Sequence, residues 1–318
     1  MGKYLVKRLL WMIPVLIGVA VLVFVIMYFV PGDPASLILG SDATVAELEA
    51  KREQLGLNDP FIVQLLRYLK NIFLRFDFGE SYRTGKAIAG EIWERLPRTV
   101  AIGFISMLIT FVVGIPLGIM AAVHQNGFGD RLCMIVALAG VSVPTFWLAL
   151  LLVVLFSVNL GWLPASGMDS WKSYILPIVS SAFAGMAGLA RQSRSSMLEV
   201  IRSDYVTTAR AKGASERAVI WKHALPNALL PIITVAGMHL AVLFGGSVVI
   251  ENVFSIPGIG QYMVNAVTNR DYPVVEASVL FLAFIFCMVM LLIDIAYAFV
   301  DPRIKAKYAA QSGRKRKG

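Results

Sequence analysis

The chain has 318 residues, 58% hydrophobic and 15% charged, and its 29 basic and 20 acidic residues give a formal net charge of +9. A soluble globule carries about 25% charged residues, so this composition excludes one and describes a polytopic membrane protein. The basic excess does not require nucleic acid, because it follows membrane topology.

Lys3, Lys7 and Arg8 precede an apolar run at 9–30. The run exceeds the apolar core of a signal peptide, and Pro31-Gly32-Asp33-Pro34 offers no small-x-small cleavage site, so 1–30 reads as an anchor span. Residues 31–98 follow as a near-neutral extracytoplasmic insertion with nine basic and ten acidic residues. A connection of that length is not idle. Residues 44–55 make a charged helical candidate, Leu57-Asn58-Asp59-Pro60 a turn, and 61–73 sets Leu65, Leu69, Ile72 and Phe73 at helical spacing. The insertion is expected to fold as a small helical lid or docking platform.

The stretch from Gly79 to Ala87 imitates a phosphate-binding loop. Five residues instead of four separate its glycines, Ala87 stands where a Mg²⁺-binding hydroxyl belongs, and the segment lies on the side where ATP is scarce. No H-E-x-x-H, G-x-S-x-G or metal-spaced Cys/His cluster occurs in the sequence. The reading is a chain with no catalytic residue, no metal site and no cofactor of its own.

Further apolar runs fall at 99–123, 132–158, 174–190, 228–250 and 275–299, most of them able to cross a hydrocarbon core of ~30 Å. Six spans are therefore predicted, with 99–299 as a five-span core. The run at 174–190 is short and rich in Ala, Ser and Gly, which suits a span buried among other helices. In span three, Val141-Ser142-Val143-Pro144-Thr145 predicts a proline kink with hydroxyls nearby. Span five reads Ala236-Gly237-Met238-His239 and then Phe244-Gly245-Gly246-Ser247, where small residues expose backbone. Ser142, Pro144, His239, Gly245 and Gly246 are candidate pathway residues, although helix packing explains the same pattern, and a lone His239 reads first as an interhelical contact.

Residues 251–260 are expected to turn at the outer face, with Asn252, Phe254 and Pro257 closing the path or receiving a partner. Asp294, in the last span, has either a structural partner (Tyr297 or a basic residue of a neighbouring helix) or a gating role. Cys133 and Cys287 both sit inside spans and read as apolar fillers.

Segments 1–8, 124–131, 191–227 and 300–318 hold 18 of the 29 basic residues against five acids, whereas 159–173 and 251–274 hold only Lys172 and Arg270. Both termini are therefore expected in the cytoplasm, and the basic tail Arg314-Lys315-Arg316-Lys317 reads as lying against anionic lipid or as plain disordered chain.

The long polar segment 191–227 reads as helix, glycine turn, helix. Ser203 and Asp204 can cap a helix over 205–212, Gly213 suits a left-handed stop, and Ser215 with Glu216 can start a second helix that Pro226 closes. Thr207-Thr208-Ala209-Arg210-Ala211-Lys212-Gly213, nine residues, then His223-Ala224-Leu225-Pro226 resembles the EAA loop of ABC importer permeases. Gly213, the gap, Leu225 and Pro226 match, whereas Thr207, Thr208 and His223 depart from the commonest form. T-A-R-A-K-G is similar to the variant of the peptide and nickel importers.

Other residues extend the resemblance: Pro31-Gly32-Asp33-Pro34, Gly56-Leu57-Asn58, Arg194-Ser195-Ser196-Met197, Glu251 through Phe254 with Pro257-Gly258-Ile259-Gly260, Arg270-Asp271-Tyr272-Pro273, and Asp301-Pro302-Arg303-Ile304. Together they resemble the first permease subunit of the dipeptide, oligopeptide, glutathione and nickel importers, and Gly161-Trp162-Leu163-Pro164 looks most like the glutathione and dipeptide branch. The resemblance implies an all-α, six-helix type I ABC importer permease fold in a bacterial or archaeal cytoplasmic membrane. It implies as partners a second homologous permease subunit, two ABC ATPase subunits that hold ATP and Mg²⁺, an extracytoplasmic solute-binding protein, and a peptide substrate. Tyr205, Thr208, Ala209, Arg210, Ala211, Lys212, Gly213, Arg217, Leu225 and Pro226 are the expected surface for the ATPase. A nickel importer would call for a Met/His ligand cluster that the spans do not offer, and a secondary transporter for internal repeats and ion ligands near the midplane.

Overall fold

The computed structural model describes residues 2–40 and 42–300, with side chains described at 6–40, 42–239 and 247–295. Helices account for the architecture, and among the described residues the one β feature is an isolated bridge between Glu80 and Ala87. The basic tail and the Asp301–Ile304 stretch lie outside the described residues.

Helix α1 (Gly2–Phe29) is the first span. The insertion follows as α2 (Pro34–Leu39), α3 (Val45–Leu55) and α4 (Phe61–Arg75). Asp33 caps α2 by accepting from the Ala35 N–H, and its other oxygen holds Arg52 of α3 at 2.9 Å. Thr44 and Glu47 form a reciprocal capping box on α3, and Gly56 ends that helix at φ +67°.

Helix α5 (Ile88–Val123) carries 36 residues, so the expected boundary at residue 98 falls inside a helix. Its first turns carry Glu91, Glu94, Arg95 and Arg98, which hide the helix from a hydropathy reading. Arg95 and Arg98 donate to the carbonyls of Glu91 and Glu94 around Pro97.

The third span is broken outright and not merely kinked. Helix α6 (Phe128–Ser142) and α7 (Thr145–Leu152), which runs on as a π-helical turn to Asn159, meet at 106°. A residue before proline is pushed out of the helical region. Val143 (φ −83°, ψ 124°) and Pro144 (φ −60°, ψ 135°) are accordingly both extended, and two such residues turn the chain.

The remaining helices are α8 (Ile175–Ile201), α9 (Asp204–Ala211), α10 (Glu216–Ala218), α11 (Leu225–Val253), α12 (Ile259–Asn269) and α13 (Tyr272–Val300). Among the described residues five helical stretches are long and apolar enough to cross a membrane, six where the bent pair counts as one span. The expectation that Pro226 closes a helix is corrected. A π-helical turn, Val219–Ala224, joins α10 to α11, and Pro226 sits in the first turn of α11, where a missing N–H costs nothing.

Helix α8 is the most enclosed of the spans, as its small residues suggested. It runs parallel to α5 in a four-residue register. The Ser106 hydroxyl donates to the Ile178 carbonyl and that of Thr110 to the Ala182 carbonyl, each at 3.3 Å. One and two turns on, a Cβ on Gly114 would lie 3.0 Å from the Met186 carbonyl, and one on Gly118 only 2.3 Å from that of Ala190. On the far flank α1 and α13 pack antiparallel, with Ala20 and Leu280 in one buried cluster.

Candidate functional site

At the end of α8 the chain makes the expected hairpin. Ser203 occupies the N-cap of α9, but its hydroxyl donates to the Val200 carbonyl at 2.6 Å instead of accepting from the helix. Gly213 turns the chain at φ +82°, and the Ser215 side chain accepts from Ala218 N–H to start α10. Arg210 pairs with Glu216 across the turn, Nε to Oε1 at 2.8 Å, and its Nη1 reaches the Ile201 carbonyl. Arg210 is thus committed to the hairpin's own closure, while Lys212 and Arg217 are exposed.

Val206, Val219 and Ala224 anchor the hairpin in a core shared with Leu189, Met197 and Ile232. Tyr205, Thr208, Ala211, Lys212 and Gly213 form its open surface, Ala209 and Leu225 are half-buried, and Pro226 is exposed. Trp221, 53% exposed in the π-helical turn that follows α10, was missed by sequence reasoning, although a tryptophan in a polar segment is itself a signal.

The opposite end of the bundle is organised by Glu251, 0% exposed at the end of α11. Its Oε1 accepts from the Thr99 hydroxyl at 2.7 Å and its Oε2 from the Gln261 N–H at 3.0 Å, while Thr99 accepts from the Ile259 N–H at 2.9 Å. One carboxylate therefore joins α5, α11 and α12. Phe254, expected as a closing or receiving residue, is 1% exposed and packs with Ile102, Ile250 and Ile256, so it anchors the turn from beneath. Asn252 is half-buried and donates to the Val248 carbonyl, and Pro257 is exposed.

The described pathway candidates occupy different settings. Ser142 and Pro144 lie exposed at the break between α6 and α7, the Ser142 hydroxyl bonded to the Leu138 carbonyl. His239 faces Gly188, where a Cβ would lie 2.4 Å from Nε2, so it fills an interhelical contact between α11 and α8. Gly245 and Gly246 lie outside the described side chains. Asp294 pairs with Arg8 of α1 at 2.8 Å, the basic neighbour the sequence left open, whereas the Tyr297 side chain lies outside the described residues.

A cavity of about 600 Å³ lies between the insertion and the ends of α1 and α13, with Asp33, Arg52, Tyr68 and Tyr82 in its wall. Burial pushes the phenol pKa of Tyr82 further above its usual range.

Residues 1–103 match the family model described as the N-terminal part of a binding-protein-dependent transport system membrane component, and 114–306 match the inner membrane component of the same systems. The chain is 44% identical over 307 residues to the glutathione transport system permease protein of Salmonella paratyphi A and 43% identical to that of Escherichia coli K12. It is 42% identical over 333 residues to the dipeptide transport system permease protein of Alkalihalophilus pseudofirmus. Each alignment covers 96% of this chain and all of the relative. The fold is also that of the methionine ABC transporter MetNI in its inward facing conformations, with a TM-score of 0.56 and 22% identity over 67% of this chain and 96% of that one. Two matching domains and full-length relatives agree: the chain belongs to the family of binding-protein-dependent transport system inner membrane components, as a membrane permease subunit.

Proposed function

We propose that this chain is one of two homologous permease subunits of an ATP-driven importer of di- and oligopeptides, glutathione included. The observation that carries the reading is the full-length identity with dipeptide and glutathione permeases. In this reading the termini and the hairpin 191–227 face the cytoplasm, as the distribution of Lys and Arg favours. Two ABC ATPase subunits bind and hydrolyse ATP with Mg²⁺, and a solute-binding protein delivers peptide at the Glu251 end.

The hairpin is suited to take the push. Its two arms are clamped by Arg210 and Glu216, its floor is buried against α8 and α11, and its open surface offers Tyr205, Thr208, Lys212 and Trp221 to a cleft in the partner. A clamped hairpin moves as one body, so closure of the ATPases swings α8 and α11 together. The test is affinity purification of the tagged chain in mild detergent, with ATP hydrolysis measured for the parent and for Gly213→Trp. Two ATPases and a second permease, with the ATPases lost on mutation, are expected. A solitary chain, or full assembly and coupling in Gly213→Trp, would overturn the assignment.

A further inference from the structure

The insertion was expected to stand outside the membrane, yet its longest helix runs down the side of the bundle. Phe61, at the start of α4, lies 4.9 Å from Tyr28 of α1 between ring centroids, and Tyr68, two turns later, lies 5.1 Å from Phe24. Ile72, one turn further, shares a buried cluster with Ala20 of α1 and Leu280 of α13, with Leu16 at its edge. At 1.5 Å per residue Ala20 is about 14 Å down α1 from Phe29. The returning chain is still low at Phe78, whose ring is 4.8 Å from that of Phe281 in α13. It regains the end of the bundle at Ser81, whose hydroxyl donates to Asp271 at 2.5 Å.

The face that α4 turns away from the bundle is apolar and open. Ile62, Leu66, Lys70 and Leu74 follow at four-residue spacing and form one row. Leu66 and Leu74 are 60% and 74% exposed, and Phe76, just past the helix, is 76% exposed. The helix carries Arg67, Lys70 and Arg75 and no acid. Water would be a costly medium for such a row, and hydrocarbon is the one that accommodates it.

We propose that α4 is embedded in the phospholipid leaflet on the insertion side, with Ile62, Leu66, Leu74 and Phe76 among the acyl chains. Depth and apolarity select the bilayer interior over water or a soluble partner. The helix lies beside residues of α1 and α13 that are inside apolar spans, and Ile26 and Phe29 of α1 are exposed as well. The membrane thereby fixes the height and tilt of the insertion, whatever the transported solute.

The test places a nitroxide at Leu66→Cys, Leu74→Cys and, as reference, Gln54→Cys on α3 in the full chain reconstituted in phospholipid bilayers. Signal from Cys133 and Cys287 is subtracted using the labelled parent. Labels at 66 and 74 are expected to collide with oxygen in preference to a water-soluble nickel chelate, and the label at 54 to do the reverse. Chelate access at 66 and 74 equal to that at 54 would overturn the proposal, and so would shielding from both probes, which would mean that protein covers the face.

Discussion

Arg194 of α8 grips both carboxylate oxygens of Asp130 at the start of α6, Nε to Oδ1 at 2.5 Å and Nη2 to Oδ2 at 2.7 Å. Asp130 is 3% exposed and accepts a further bond from the Asn126 N–H at 2.8 Å. Removing one partner of a buried pair strands the other charge, at a cost of about 3–5 kcal/mol. Asp130→Ala is expected to lower the thermal midpoint of the detergent-solubilised protein sharply. Arg194→Lys, which keeps the charge and loses the fork, is expected to fall between it and the parent.

Gly213 has open space where a Cβ would stand, so only its left-handed backbone resists substitution. Gly213→Asn is therefore expected to be nearly neutral for folding, and Gly213→Val to cost about 1–2 kcal/mol. Thermal denaturation of the two variants checks this, and separates backbone strain from the loss of docking expected for Gly213→Trp.

Glu251→Ala would leave the Thr99 hydroxyl and the Gln261 N–H without their acceptor in a buried place. Each orphaned group costs about 1–3 kcal/mol. Limited proteolysis at 255–258 is expected to be markedly faster in Glu251→Ala, and much less so in Glu251→Gln, which keeps one acceptor oxygen.

The Arg52 guanidinium beside Asp33 holds its carboxyl below the usual carboxylate range. The folded pKa lies under the unfolded value of about 3.9, so the pair's contribution is complete above that value and is lost as pH falls through the folded pKa. Between pH 5 and 8, about the ordinary working range, the docking of α2 on α3 should not vary. Protection of the insertion from protease is expected to drop in strong acid, and Asp33→Asn to remove that part of the acid dependence.

A Gly118→Leu change is expected to separate α5 from α8, because even a Cβ there meets the Ala190 carbonyl at 2.3 Å. Such overpacking costs about 1–3 kcal/mol or more, and loss of expressed, folded protein on size-exclusion chromatography would report it.

Much of this molecule was legible in its sequence because lipid imposes length and apolarity on each span. The left-handed stop at Gly213 was a local signal that marked its element, whereas the capping box at Thr44 and Glu47 and the stop at Gly56 were signals of the same kind that went unread. The start of α5 was not legible, since charged residues on a helix read like a loop. The angle at Pro144 was not legible either, because a proline sets where a helix yields but the packing of neighbours sets how far. Residues joined across long sequence distances, Asp130 with Arg194 and Thr99 with Glu251, leave no local pattern. Within the hairpin the sequence marked the turn and the open face but not the inward commitment of Arg210 or the exposure of Trp221.

The register between α5 and α8 has a mechanical consequence. Its seats are glycines pressed on carbonyls and hydroxyls bonded to carbonyls, repeated every four residues from Ser106 to Gly118. A slide of a fraction of a turn would put side chains where only hydrogen fits, so the pair has no soft direction of shear along its axis. It is a two-stranded strut, and α5 alone is about 54 Å long at 1.5 Å per residue. A tilt imposed where α8 enters the hairpin is carried by this strut towards the end of α5 where Thr99 meets Glu251.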